Sequence, residues 1–126
     1  MKSISKEKRL KVYSIFNGKC AYCGCDIYLE SFHIDHIKPL FRGLSQEQMN
    51  RIGYNRVKGT NNIENLYPAC PSCNCSKSTY TIEEWRNVIE LKKERIKKNS
   101  TDYNFLLKFG CVIETGKSVE FYFETI

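Results

Sequence analysis

The sequence predicts a small α+β domain whose core is stabilised by a bound metal ion. Two Cys-x-x-Cys pairs, Cys20/Cys23 and Cys70/Cys73, are separated by 46 residues, and thiols paired in this way are typical of structural zinc sites. Short β-forming segments lie between the pairs, and segments with helical periodicity lie on either side. At 126 residues the chain has room for one modest core, to which a structural metal adds substantial stability.

The cysteine count favours metal binding over disulfides. Seven cysteines cannot all pair, and the polar N-terminus and the lack of a long apolar run predict neither a signal peptide nor a membrane span. We therefore expect an intracellular, cytoplasmic protein whose thiols stay reduced. Four thiolates form a closed zinc site, although Cys25 or Cys75 could replace a neighbouring ligand.

The first half of the chain predicts one helix followed by two strands. Residues 5–17 have helical periodicity, with Ser5 as the N-cap and Gly18 at the end. Residues 27–36 favour a strand, and a second short strand begins near Asn65. The connection between them, residues 38–62, is long and polar, and its Ser45-x-x-Gln48 sequence indicates a short helix.

The second half predicts helices and a C-terminal hairpin. A helix begins near Asn74, and the Thr81-x-x-Glu84 capping box starts a long helix that reaches about Lys98. Residues 105–109 indicate a brief helix, and residues 112–114 with 119–124 indicate a β-hairpin. We predict a domain over residues 1–100 and an appendage over 101–126 that packs on it or forms a dimer. The aromatic residues assigned to the core are Phe16, Trp85 and Phe105.

Positive charge flanks the cysteine-containing unit. The net charge is +6, with six basic and one acidic residue in 1–19, and seven basic and four acidic in 77–98. Residues 99–126 carry two basic and four acidic groups. This distribution suits a polyanionic partner such as nucleic acid, while a solvated surface is an equal alternative.

Polar residues between and after the cysteine pairs predict a second kind of metal site. Asp35 and His36 end the first predicted strand, and Asn74 directly follows Cys73. Carboxylate and amide oxygens suit Mg²⁺ or Mn²⁺, and histidine can accept a proton near neutral pH. Lys77 lies one helical turn beyond Asn74, where it could contact a phosphate or be a solvated lysine.

In this ordered combination, residues 18–80 resemble the HNH endonuclease family. The matching positions are Cys20-x-x-Cys23, His33-Ile34-Asp35-His36-Ile37, Gly59, Asn65-Leu66 and Cys70-Pro-Ser-Cys73-Asn74-x-x-Lys77. The resemblance implies a ββα-metal fold, also called the His-Me finger, with zinc bound by the four cysteines. The third signature position is Asn74 rather than histidine, which is a variant that the family uses.

The resemblance also implies a role for each matched residue. His36 would be the general base, Asp35 and Asn74 would hold a catalytic Mg²⁺ or Mn²⁺, and Asn65 would orient the base. Lys77 would meet the phosphate. Basic residues of the long connection are candidate DNA contacts, namely Arg42, Arg56 and Lys58.

Two functions follow as hypotheses. The favoured one is a metal-dependent DNA endonuclease from a restriction, junction-resolving, phage or mobile-element system, possible as a homodimer. The alternative is a non-catalytic zinc module that binds nucleic acid or protein. The alternative requires only the four cysteines and the basic flanks, whereas the enzyme also requires Asp35, His36, Asn65 and Asn74.

Overall fold

In the computed structural model, which describes residues 4–53 and 56–126, two short antiparallel strands are surrounded by helices. This arrangement confirms the predicted α+β class. Helix α3 follows strand β2 directly, so the strands and this helix form a ββα unit. In chain order the elements are α1 (Lys6–Ile15), β1 (His33–His36), α2 (Gln46–Arg51), β2 (Leu66–Ala69), α3 (Pro71–Lys77), α4 (Ile82–Asn99) and α5 (Thr101–Lys108).

The N-terminal caps read from the sequence are present in the structure. The Ser5 hydroxyl accepts a hydrogen bond from the backbone of α1, and Ser45 and Thr81 begin α2 and α4 with complete capping boxes. These predictions are confirmed. Caps can be predicted from sequence because capping depends on groups only three residues apart. Helix α3 begins earlier than predicted, since Cys70 is its N-cap and Pro71 its first residue.

The first strand is shorter than predicted. Residues 28–32 form a turn, in which the amides of Ser31 and Phe32 donate to the Tyr28 carbonyl. Strand β1 therefore begins at His33, which lies opposite Ala69, and ends at His36, which lies opposite Leu66. The short pair positions Asp35 and His36 at the end of β1.

The core is an aromatic cluster centred on Tyr22. Its ring makes edge contacts with Tyr67 at 5.9 Å, Trp85 at 5.0 Å and Phe121 at 5.8 Å between ring centroids. Phe16 is also buried, as predicted. Phe105 is not part of this core, because 56% of its surface is exposed on α5. The cluster connects the first cysteine pair, the strands, α4 and the C-terminal tail.

The predicted C-terminal hairpin is wrong: the described part of the tail has no strand, and Tyr122–Glu124 form a 3₁₀ turn. The amides of Tyr122 and Phe123 instead donate to the carbonyls of Tyr22 and Ala21, at 2.9 and 2.8 Å. Burial of Phe121 against Trp85 takes the place of strand pairing. Residues 119–124 thus pack on the predicted 1–100 domain.

No helix in the described part of the chain combines the length and apolar character needed to cross a bilayer.

Candidate active site

The four cysteines of the two Cys-x-x-Cys pairs come together at one point. Their sulfur atoms all lie within 4.8 Å of one another, and the Cys23 and Cys70 sulfurs are 3.9 Å apart. Four thiolates at about 2.3 Å from a tetrahedral zinc ion would be about 3.8 Å apart. The donor set therefore fits a metal ion such as zinc. Neither Cys25 nor Cys75 belongs to this cluster.

Local backbone geometry brings the first pair to the second. The Cys20 amide donates to the Cys25 carbonyl at 2.8 Å, and the Gly24 amide donates to the Cys20 carbonyl at 2.9 Å. Gly24 has a φ of +78°, and a Cβ there would lie 2.9 Å from the Tyr122 ring, so glycine is required by both conformation and space. The Ala21 amide then joins this turn to β2 through the Pro68 carbonyl.

Asp35 is buried between the aromatic core and α3. Only 4% of its surface is exposed, and its Oδ2 atom accepts hydrogen bonds from the Tyr22 hydroxyl and the Lys77 ammonium. Burial raises the pKa of the Asp35 carboxyl, and the charge of Lys77 and the Tyr22 hydrogen bond partly offset that rise. Tyr22 was not identified as a site residue from the sequence, although its place inside Cys20-x-x-Cys23 was a signal.

Lys77 is buried inside the protein, whereas the predicted phosphate contact requires an exposed ammonium. Its side chain is fully buried, and its Nζ lies 3.0 Å from Asp35 Oδ2. The same ammonium donates to the carbonyls of His36 and Ile37, at 3.1 and 3.2 Å. A phosphate cannot reach this group, because three protein oxygens surround it. Lys77 therefore stabilises the end of β1 and its carboxylate.

We expect Lys77→Met to lower the free energy of unfolding by about 3–5 kcal/mol, the usual cost of leaving one partner of a buried ion pair alone. Methionine keeps most of the stem volume but leaves Asp35 without its charged partner and the carbonyls of His36 and Ile37 without the Lys77 donor. Denaturant unfolding at constant zinc content measures the change. The control is Lys92→Met on the exposed surface of α4, which should change stability by at most about 0.5 kcal/mol. Equal, small effects of the two variants would contradict this role.

His36 contacts an asparagine other than the predicted one. Its Nε2 lies 2.7 Å from Oδ1 of Asn61. Asn65 instead holds the backbone after β1: its Oδ1 accepts from the Lys38 amide at 2.8 Å, and its Nδ2 donates to the Lys38 carbonyl at 3.0 Å. Asn65 is thus near His36 but contacts the backbone of Lys38 rather than the imidazole ring. In the sequence, the one signal for Asn61 was the Asn61-Asn62 pair close to Gly59.

Asn74 lies on α3 beside the start of β1. Its Nδ2 is 3.0 Å from Nδ1 of His33. The Oδ1 atom of Asn74 therefore lies on the side of the carboxamide that faces away from His33. Because Asn74 follows Cys73 within one short helix, the metal cluster determines where this amide lies. His33 is exposed and shares a strand face with Asp35 by alternation.

An open cleft of about 450 Å³ joins Asp35, His36 and Asn74 with Arg42. Arg42 is exposed at this cleft, as a DNA contact requires. Arg56 instead makes two hydrogen bonds to Glu84, which hold the pKa of that carboxyl at about 2, and the ammonium of Lys58 donates to the Leu44 carbonyl. Arg56 and Lys58 therefore contribute to folding the long connection.

Comparison with known proteins shows which family the region around this site is similar to. The family model described as HNH endonuclease matches residues 20–79. The chain is 42% identical over 77 residues to the SPbeta prophage-derived putative HNH endonuclease YoqL of Bacillus subtilis strain 168, an alignment covering 61% of this chain and 30% of that protein. The chain therefore spans less than a third of this curated relative.

A solved structure shares the fold. The crystal structure of the Type II-C Cas9 enzyme from Actinomyces naeslundii is similar, with 27% sequence identity and a TM-score of 0.50. The similarity covers 68% of this chain and 8% of the Cas9 chain. The family match extends from the first clustered cysteine to just beyond Lys77 and contains Asp35, His36, Asn65 and Asn74. Residues 20–79 of this chain therefore form a domain of the HNH endonuclease family.

Proposed function

We propose that this protein is a metal-dependent DNA endonuclease that hydrolyses phosphodiester bonds. The observation that carries the proposal is the cleft in which Asp35, His36 and Asn74 meet on one ββα unit. A carboxylate and an amide can hold a divalent ion, and an imidazole can accept a proton from water, so these groups can together support hydrolysis. The cysteine cluster, joined to the cleft through Cys73 and Asn74 on α3, supplies rigidity that so small a core would otherwise lack.

In this proposal His36 is the general base. It is half-buried at the end of β1 and lines the cleft, so its ring can meet a water molecule there. The imidazole takes a proton from the water as the water attacks phosphorus. The backbone just after the His36 ring is held, because the carbonyls of His36 and Ile37 accept from Lys77.

The remaining residues fit a hard divalent cation such as Mg²⁺ or Mn²⁺. Asp35 Oδ2 is occupied by Tyr22 and Lys77, so Oδ1 would be its oxygen for a cation, together with the amide oxygen of Asn74. A cation bound there would neutralise the phosphate and stabilise the leaving oxygen. The positive charge of the Lys77 ammonium, paired with Asp35, repels a cation bound to the same carboxylate, which favours a weakly held, exchangeable ion.

DNA is the proposed substrate because Arg42 is exposed at the cleft and basic residues are concentrated in 1–19 and 77–98. Such contacts neutralise phosphates and weaken steeply as salt concentration rises. Cutting both strands at once with one site per chain usually calls for two chains, so we propose a homodimer for double-strand cleavage. The similarity to a prophage-derived relative supports a role in a phage or mobile-element system.

The test is to incubate the zinc-loaded protein with supercoiled, linear and branched DNA, adding Mg²⁺, Mn²⁺ or no further metal. We expect nicked, linear or resolved products only in lanes with added Mg²⁺ or Mn²⁺. A gel-shift titration against salt in the same samples reports binding separately. DNA binding without cleavage under any metal would refute the enzyme and support a non-catalytic zinc module.

A further inference from the structure

We propose that Asn61 is the positioning residue for His36, fixing its ring so that Nδ1 is the nitrogen that accepts the proton. This inference rests on the proposed function and adds a residue to its site. Asn61 lies 25 residues beyond His36, in the long connection rather than on the ββα unit. It is also distinct from Asn65, which binds backbone groups.

The chemistry of the contact determines the tautomer. The Nε2 of His36 lies 2.7 Å from Oδ1 of Asn61, and an amide oxygen can only accept a hydrogen bond. Nε2 must therefore carry the proton and donate it to Asn61. In a neutral imidazole the other nitrogen, Nδ1, then has a free lone pair. A base needs that lone pair, so the contact with Asn61 selects the reactive nitrogen.

The backbone of Asn61 is held from both sides. The Lys8 ammonium of α1 donates to the Asn61 carbonyl at 2.6 Å. The Asn65 amide group donates to the neighbouring Thr60 carbonyl at 2.8 Å, and the Asn62 amide donates to Thr60 Oγ1 at 3.2 Å. A side chain on backbone secured in this way loses little freedom when it binds the ring, which makes the contact effective.

A close approach of two chain segments sets the distance between Asn61 and His36. The Gly59 amide donates to the Pro39 carbonyl at 2.8 Å. A Cβ at Gly59 would lie 1.8 Å from the Lys38 carbonyl oxygen and 2.9 Å from Asn65 Nδ2. Only glycine allows the segment carrying Asn61 to lie against the segment after β1. Asn65 then joins the same two segments through Lys38 and Thr60.

The experiment compares three variants of the full chain, loaded with zinc. Asn61→Leu removes the acceptor at similar volume, and Asn61→Asp keeps an acceptor at the same place. Asn62→Leu is the matched control, because Asn62 is the exposed neighbour and its side chain makes no capping hydrogen bond. The readouts are ¹⁵N NMR of the His36 ring, at a pH where the ring is neutral, and the single-turnover rate of DNA cleavage with Mg²⁺.

We expect a slowly exchanging Nε2–H in the wild-type protein, in Asn61→Asp and in Asn62→Leu, and its loss in Asn61→Leu. The cleavage rate of Asn61→Leu should fall about 10- to 100-fold, the range for outer partners of a site histidine, with DNA binding unchanged. Asn61→Asp should recover most of that rate. A proton on Nδ1 in the wild-type protein, or an unchanged rate in Asn61→Leu, would overturn the proposal. If the wild-type protein cleaves no DNA, the proposed function fails, while the NMR spectrum still decides whether Asn61 holds the ring.

Discussion

We expect Cys70→Ser to unfold the domain and to abolish binding of the structural metal ion that we propose to be zinc. Cys70 contributes one of the four clustered sulfurs and is also the N-cap of α3, where its sulfur accepts from the Cys73 amide. Structural zinc contributes about 10–16 kcal/mol of apparent folding free energy in zinc-finger peptides. A domain of this size is stable by only about 5–15 kcal/mol. The folding free energy lost with the metal is therefore comparable to the whole stability of the domain.

The measurement is zinc content per chain together with thermal unfolding followed by circular dichroism. Cys70→Ser should bind less than one zinc and lack a cooperative transition, as should the wild-type protein treated with a strong zinc chelator. Cys75→Ser is the control, because Cys75 lies exposed on the same helix outside the cluster. A folded Cys70→Ser protein with the wild-type transition temperature would refute a structural metal.

His36→Ala should abolish cleavage and leave the fold intact. General-base catalysis contributes about 10²- to 10⁴-fold to a rate, and the other described histidine, His33, contacts Asn74 rather than the end of the strand. The cost to stability should be about 1 kcal/mol, because the ring is half-buried and its hydrogen bond to Asn61 is of ordinary strength. The cleavage rate under single-turnover conditions measures the loss.

Zinc content and the unfolding transition are the controls for His36→Ala, and both should match the wild-type protein. DNA binding measured by gel shift should also persist. These controls separate His36 from Asp35 and Lys77, whose replacement breaks a buried ion pair and lowers stability as well. A variant that loses activity only because it unfolds would not support a catalytic role for His36.

The parts of the fold that depend on neighbours in sequence were predictable. Helix starts at Ser5, Ser45 and Thr81 are decided by hydrogen bonds across three residues. The metal-binding role of the cysteines was predictable for a similar reason, since the spacing within each Cys-x-x-Cys pair places two ligands within one turn. For these elements, local chemistry and the tertiary structure favour the same conformation.

Positions that depend on packing between distant segments were not predictable. Helical spacing placed Lys77 near a phosphate, yet docking of α3 against β1 buries its ammonium beside Asp35. Asn61 meets His36 only because Gly59 lets two segments touch. The tail has β-forming residues, but Phe121 is buried against Trp85 and the next two amides bond to the carbonyls of the first cysteine turn. In each case a tertiary contact outweighs the local preference.

The most direct test of the proposed mechanism is one supercoiled-plasmid assay of four reactions, in which the zinc-loaded wild-type protein and His36→Ala are each incubated with and without Mg²⁺. We expect nicked or linear plasmid only for the wild-type protein with Mg²⁺, because cleavage requires both the imidazole and a cation other than zinc. Equal cleavage by folded His36→Ala, or cleavage by the wild-type protein without Mg²⁺, would contradict this mechanism.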